Sequence, residues 1–455
     1  MNKVLNIRCK SKIEGSMRKL LILSLALSIS LVGCYTDDGG QLVGVQDRQI
    51  WYQPDPYGML YIPPGSYNMG PSDQDAPYSY TSRSKTVSIS PFYMDETEIT
   101  NNEYRQFVAW VRDSMAYKIL GEEVNEDEYL ISINQYEEDI DPPIINWDAE
   151  IIWNDDPDSR EALSVMFLPE YERFYGHRDL DTRKLVYDYY WIDYKDAAKK
   201  NPTINGDPMR ERGLTDRSVF IKRDQINIYP DTLCWIHDFT YSFNEPLTNM
   251  YFWHPAYDEY PLVGVSWKQA RAFSLWRTFL HNKFLATVGE SFVQDYRLPN
   301  ESEWEYASRG GLDLSPYPWG GPYTRNTRGC FLANFKPLRG NYYDDGGIHT
   351  VPAVSYEPND FGLYCMAGNV AEWTSNAYDE STLDFAHDLN MDYVYEAKDD
   401  DPPVLKRKTI RGGSWKDVGY YMQTSTRTYE YQDTAKSYIG FRNVMSYLGM
   451  GKSQI

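Results

Sequence analysis

Three short runs near the C-terminus hold the residue types that could do chemistry: Gly368-Asn369-Val370-Ala371-Glu372-Trp373, Arg411-Gly412-Gly413-Ser414-Trp415 and Gly440-Phe441-Arg442. Glycines beside an amide and a carboxylate can offer backbone and side-chain oxygens to a hard cation. Nucleophilic chemistry has less support, because no cysteine lies between Arg411 and Arg442. Arg411-Gly412-Gly413-Ser414 lacks the lysine and the strand-to-helix setting of a phosphate-binding loop. The six histidines (His177, His237, His254, His281, His349 and His387) show no HxxxH or HExxH spacing. A zinc or non-haem iron centre therefore has no support from spacing. Cys9 and Cys34 lie at the N-terminal end, and Cys234, Cys330 and Cys365 follow. There is no CxxC, and three thiols allow at most one disulfide.

The elements that must position these motifs announce themselves by their caps. Thr100 with Glu103, Ser266 with Gln269, and Asn300 with Glu303 each have the spacing of a capping box. After the first, Tyr104, Phe107, Val108 and Val111 fall on one helical face. After the second, Ala270, Phe273 and the run from Arg277 to Leu280 continue a helix. The third follows Pro299 and ends at Gly310-Gly311, where glycine suits a helix C-terminus.

Taken in order, these segments resemble the formylglycine-generating enzyme (sulfatase-modifying factor) family. The run Met59 to Gly70 is similar to its opening strand pair, and Pro91 to Asn101 to its next strand and first helix. Val263 to Trp267 and Tyr296 to Ala307 resemble its second and third helices, and the three C-terminal motifs close the domain. The resemblance covers about 57–112 and 261–447. It implies an α+β, C-type-lectin-like fold with little regular secondary structure. Active members carry a copper-binding cysteine pair shortly after Gly-Gly-Ser, and Asp417 and Met422 stand at about those positions. Copper(I) is held by soft thiolates, so their loss implies neither copper nor catalysis of that reaction. The resemblance also implies structural calcium. Asn334 and Asp345 match one site, while Gly368, Val370 and Glu372 match a second, in which Cys365 replaces the usual Asn or Asp ligand.

At the other end, Met17-Arg18-Lys19 precedes an apolar run from Leu20 to Val32 and then Leu31-Val32-Gly33-Cys34. This is the pattern of a signal peptide with a lipobox over 1–33, with Met17 a candidate start. The run falls short of the roughly 20 apolar residues needed to span a bilayer. Cys34 is then the lipidated residue and 34–56 a tether. Beyond residue 33 the chain has 39 basic and 65 acidic residues, a net charge of −26. That charge excludes nucleic acid as an electrostatic partner and favours a basic one.

Residues 113–260 form an insertion that the family core lacks, and 448–455 a short tail. Glu122 to Asp158 holds fourteen acidic residues and no Lys, Arg or His. Leu185 to Tyr194 and Ser218 to Tyr229 alternate as strands do. We read the insertion as a partner-binding element. With the lipobox, Gly39 to Val45 and Pro56 to Met59, it is similar to the gliding-motility and type IX secretion lipoproteins of the family. That resemblance implies a structural ring subunit, lipid-anchored in the outer membrane and facing the periplasm. Its implied partners are a GldN/PorN-type subunit, further copies of itself and other type IX secretion components. A glycan- or peptide-binding lipoprotein is the other class, since 13 Trp and 40 Tyr could supply stacking platforms.

Overall fold

A computed structural model describes residues 53–71, 83–134, 136–198, 203–204, 207–208, 218–238, 246–337 and 347–449. The lipobox with Cys34, and Asp345 of the expected calcium residues, lie outside the described residues. The expected opening pair is two strands, β1 (Met59–Ile62) and β2 (Gly65–Met69), that do not pair with each other. β2 runs antiparallel to β3 (Lys85–Ile89), with Gly65 opposite Ile89. β1 instead takes β4 (Phe92–Asp95), with Met59 opposite Asp95. Between β1 and β2 stand Pro63 and Pro64, which have no N–H for a ladder, so the chain passes from one sheet to another there.

Helix α1 (Asn101–Glu123) starts at its predicted cap: the Glu103 carboxylate accepts from the Thr100 N–H at 2.8 Å, and Thr100 Oγ1 accepts from the Glu103 N–H. Tyr104, Phe107, Val108 and Val111 are buried, as their spacing predicts. The helix runs on through residue 112, so 113–260 begins inside regular structure. The acidic tract contains the hairpin β5 (Leu130–Ile133) and β6 (Asp139–Ile145). The two alternating stretches form a second hairpin, β7 (Val186–Ile192) with β8 (Ile221–Asn227), Ile192 opposite Ile221.

Ser266 and Gln269 cap α2 (Trp267–Val288), which closes on Gly289 in the left-handed region (φ 73°). After β9 (Tyr296–Arg297), α3 (Glu301–Arg309) begins where the Glu303 carboxylate accepts from the Asn300 N–H at 2.8 Å, and ends at Gly310. The C-terminal strands are β10 (Ala371–Ala377), β11 (Arg407–Arg411), β12 (Thr428–Tyr431), β13 (Ile439–Gly440) and β14 (Val444–Ser446). Two four-stranded sheets result, ordered β1-β4-β14-β9 and β12-β11-β10-β13. Helices and mostly antiparallel sheets are segregated, with β10 and β13 the parallel pair, and long irregular stretches join them, so the fold is α+β.

The main core lies between α1, α2 and the second sheet, with Phe107, Phe273, Trp276, Trp373 and Phe441 in one cluster. Leu185, Tyr189, Ile228 and Phe252 belong to that same cluster. The segment 113–260 is thus part of the core wall. Polar contacts fix it there: the Tyr104 hydroxyl donates to the Ile228 carbonyl at 2.8 Å, and Gln269 Nε2 to those of Asn227 and Tyr229 at 3.0 Å each.

Candidate functional site

The three C-terminal motifs meet because β10 lies between β11 and β13, which places Glu372 opposite Arg411 on one side and Gly440 on the other. The loops leading into them are tied together as well. The Gly368 N–H donates to the Gly412 carbonyl at 2.9 Å, and the Trp415 N–H to that of Asn369 at 2.8 Å. Two glycines are obligatory. A Cβ on Gly368 would stand 2.4 Å from the Asn334 carbonyl oxygen, and one on Gly413 would stand 2.7 Å from that of Tyr421. Asn369 is left-handed (φ 61°), a conformation asparagine tolerates when its amide is bonded locally. Its Nδ2 donates to Glu98 at 2.6 Å, and its Oδ1 accepts from the Val351 N–H at 3.0 Å.

Beneath these loops lies a network of buried charge. Arg442 forks onto Glu372, Nη2 to Oε1 at 2.6 Å and Nε to Oε2 at 2.8 Å, and the Trp304 indole N–H donates to the same carboxylate at 2.8 Å. Arg411 pairs with Glu305 and donates to the carbonyls of Thr424, Ser425 and Thr426. Glu305 also takes Arg309 at 2.6 Å, and Arg427 bonds Glu301. Burial works against the charge of Glu301, but Arg427 and Arg411 outweigh it and hold the carboxyl below its ordinary value. Glu98 behaves oppositely. Burial, with the nearby charge of Glu372 added, pushes it well above the usual carboxylate range. These partners were missed from the sequence. Carboxylates at 301, 303 and 305 on a helix rich in tryptophan and tyrosine were the available signal.

At the positions matched to the cysteine pair, Asp417 is half-buried and accepts from the Ser414 hydroxyl at 2.6 Å. Burial raises its carboxyl above the ordinary value. Met422 is fully buried in a cluster with Tyr317, Ala333 and Ala367. Neither offers a thiolate, so the residues present do not fit copper(I), and no oxidation step can be built on them. Cys234, Cys330 and Cys365 are unbonded to one another. Burial, reinforced by Glu98, pushes the Cys365 thiol up, and its Sγ lies 3.2 Å from the Ala353 carbonyl as a donor. That is a structural thiol. Beside the loop, Trp415 stacks on His349 (5.3 Å between ring centres) and on Trp235 (5.9 Å).

Of the residues read as calcium ligands, Asn334, Gly368 and Val370 come together around one turn. The Asn334 carbonyl accepts from the Asn369 N–H at 2.8 Å, and the Val370 N–H donates to Glu98. Asn334 Nδ2 donates to the His349 carbonyl at 2.6 Å. Glu372 points to Arg442 instead, and both of its oxygens are engaged there. Among the described residues no group of three or more His, Cys, Asp or Glu is arranged to hold a metal ion.

The sulfatase-modifying factor enzyme 1-like domain model matches residues 51–447, and the chain belongs to that family. Similar relatives include an inactive C-alpha-formylglycine-generating enzyme 2 from Bos taurus, 33% identical over 190 residues that cover 40% of this chain and 50% of that one. Another is the formylglycine-generating enzyme of Streptomyces coelicolor, 32% identical over 187 residues, or 40% of this chain and 52% of that one. The chain thus spans about half the length of the curated relatives it matches. Among solved structures, PvdO from Pseudomonas aeruginosa covers 87% of this chain and 98% of its own, with 16% identity and a TM-score of 0.42.

Proposed function

We propose that this protein is a non-catalytic member of the family: a structural, outer-membrane-anchored lipoprotein of the GldK/PorK type in the periplasmic ring of type IX secretion and gliding motility. One observation carries the non-catalytic part. The positions matched to the reactive thiols hold Asp417, bonded to Ser414, and Met422, sealed in the core. The fold is complete around them, with its interior arginines paired, so the scaffold is maintained for a purpose other than that chemistry. The ring assignment rests on the resemblance carried by the lipobox motif, Gly39 to Val45, Pro56 to Met59 and the insertion. Its partners are a GldN/PorN-type subunit, further copies of this chain and other type IX components, with Cys34 holding the complex to the membrane.

Structural calcium belongs to the same proposal. It would be held from the side of Asn334 and Asp345, since Arg442 already satisfies Glu372. Chelation with EGTA should lower the melting temperature and calcium should restore it; no shift would remove calcium from the reading. A second reading, glycan or peptide binding, draws on a cleft of about 590 Å³ lined by Arg112, Trp153, Arg178 and Trp253.

The deciding experiment is gentle detergent extraction from the native membrane, followed by sizing and mass spectrometry. A particle many times the mass of the chain, with one stoichiometric second protein, is expected. A monomer without a partner would overturn the ring assignment and favour the cleft. Separately, copper-loaded protein should convert no cysteine of a sulfatase-derived peptide to formylglycine.

A further inference from the structure

Helix α2 carries an apolar stripe that stands exposed among the described residues. Leu280, Phe284 and Val288 recur every four residues on one face, and Phe284 and Val288 are 61% and 54% exposed. Phe292 extends the stripe beyond the helix and is 66% exposed. Its loop is drawn back along α2 because the Val293 N–H donates to Asn282 Oδ1 at 3.0 Å. The opposite side of the same turns is core: Leu285 and Val293 pack with Met59, Tyr93, Tyr296 and Met445. Side chains of this size left in water on a strongly acidic protein mark a contact surface.

The path of the chain says what covers it. Arg277, one turn before the stripe, donates to the Tyr57 carbonyl at 3.1 Å, and Met59 packs against Leu285. The described chain therefore begins beside the same end of α2 that bears the stripe. Upstream, residues 35–52 separate that point from Cys34, a reach of at most roughly 60 Å at about 3.5 Å per residue. We propose that the stripe of Leu280, Phe284, Val288 and Phe292 lies in the headgroup region of the bilayer to which Cys34 is attached, as a second membrane contact that orients the domain. The inference rests on the lipid-anchor reading for its source of membrane. The helix lies on the surface rather than crossing it, since no helix among the described residues is long and apolar enough to span. A net charge of −26 opposes anionic lipid, so binding is by apolar insertion into zwitterionic lipid and changes little with salt.

The test uses the full exported chain with Cys34→Ala, which removes the acyl anchor, and flotation with phosphatidylethanolamine–phosphatidylcholine vesicles. The unacylated chain should float, equally at low and high salt. F284S/V288S/F292S in that background should reduce vesicle binding at least tenfold with an unchanged melting temperature. An unacylated chain left wholly in the supernatant overturns the proposal, as does a triple variant that floats as well as its parent. If the triple variant instead loses a co-purifying protein while vesicles never bind, the stripe is a protein interface and the membrane assignment falls. Mass spectrometry of the native N-terminal peptide tests the anchor separately. An unmodified Cys34 would sink the lipoprotein reading while the vesicle result stood on its own.

Discussion

The family scaffold and the insertion handle charge in opposite ways. In the scaffold, Arg309, Arg411 and Arg442 are fully buried, and each meets a carboxylate of α3 or β10. In the insertion, Arg183 bridges Asp181 and Glu172 from a side chain that stays mostly in solvent. Among the described residues, none of the acidic side chains between Glu122 and Asp158 takes part in an ion pair. Aromatic contacts add to the polar ones that join the insertion to the scaffold: Trp110 stacks on Trp147 at 5.4 Å, and Phe107 meets Tyr187 edge-on at 5.2 Å. Buried ion pairs tolerate little change on one side only, whereas unpaired surface carboxylates are free to meet a partner. A one-sided change is therefore costlier in the scaffold than in the acidic tract.

The sharpest way to break this contrast is Arg442→Ala. It strands Glu372 in the core, and a loss of about 3–5 kcal/mol is expected in urea unfolding. E372L/R442M should recover much of that loss; if it does not, the pair is more than mutual compensation. Next in size, Leu185→Ala should cost about 2–5 kcal/mol, because its side chain lies in the main core. A near-zero value would return the insertion to the status of a loose decoration.

A pH experiment sharpens the scaffold side. Lys408 is buried, its Nζ donating to the Tyr395 carbonyl at 2.6 Å and lying over the Trp267 ring. Burial pulls it down to about 7, with Glu396 and Asp433 opposing and Arg271 and Lys268 assisting. In the unfolded chain it keeps its proton up to about 10.5, so unfolding takes up a proton between these values and stability rises with pH across that window. Below about 7 both states are protonated and this slope vanishes. Lys408→Met should flatten the rise, as read from melting temperatures at pH 7 and 9.5; an unchanged slope would show that the lysine is charged in the fold. The smallest expected effect belongs to E137S/E138S/D139S in the acidic hairpin. It should leave the melting temperature where it is while weakening co-purification of the second ring protein.

Helix starts were legible because a cap is a local device: Thr100–Glu103 and Ser266–Gln269 are three residues apart in sequence and bonded in space. The two strands of the second hairpin were legible for a similar reason, since alternation records which face is buried. Strand partners were not. Nothing local to Met59 or Gly65 says that β1 will pair with β4 and β2 with β3. The buried network was equally hidden, because Arg411 and Glu305 are 106 residues apart and a charged residue in sequence normally implies solvent. The engagement of Glu372 by Arg442 depends on β10 pairing with β13 and was beyond reach.

Strand β14 occupies residues 444–446, yet it pairs with β4 at 92–95, and Arg442 just before it neutralises Glu372. A polypeptide emerging N-terminus first from a ribosome or a translocation pore therefore cannot close its first sheet until residue 446 is out. Folding of this domain is a late event rather than a progressive one, dominated by pairings distant in sequence. Until then the chain stays threadable. The same geometry makes residues 442–446 a latch, so that proteolytic nicking there would undo the whole domain.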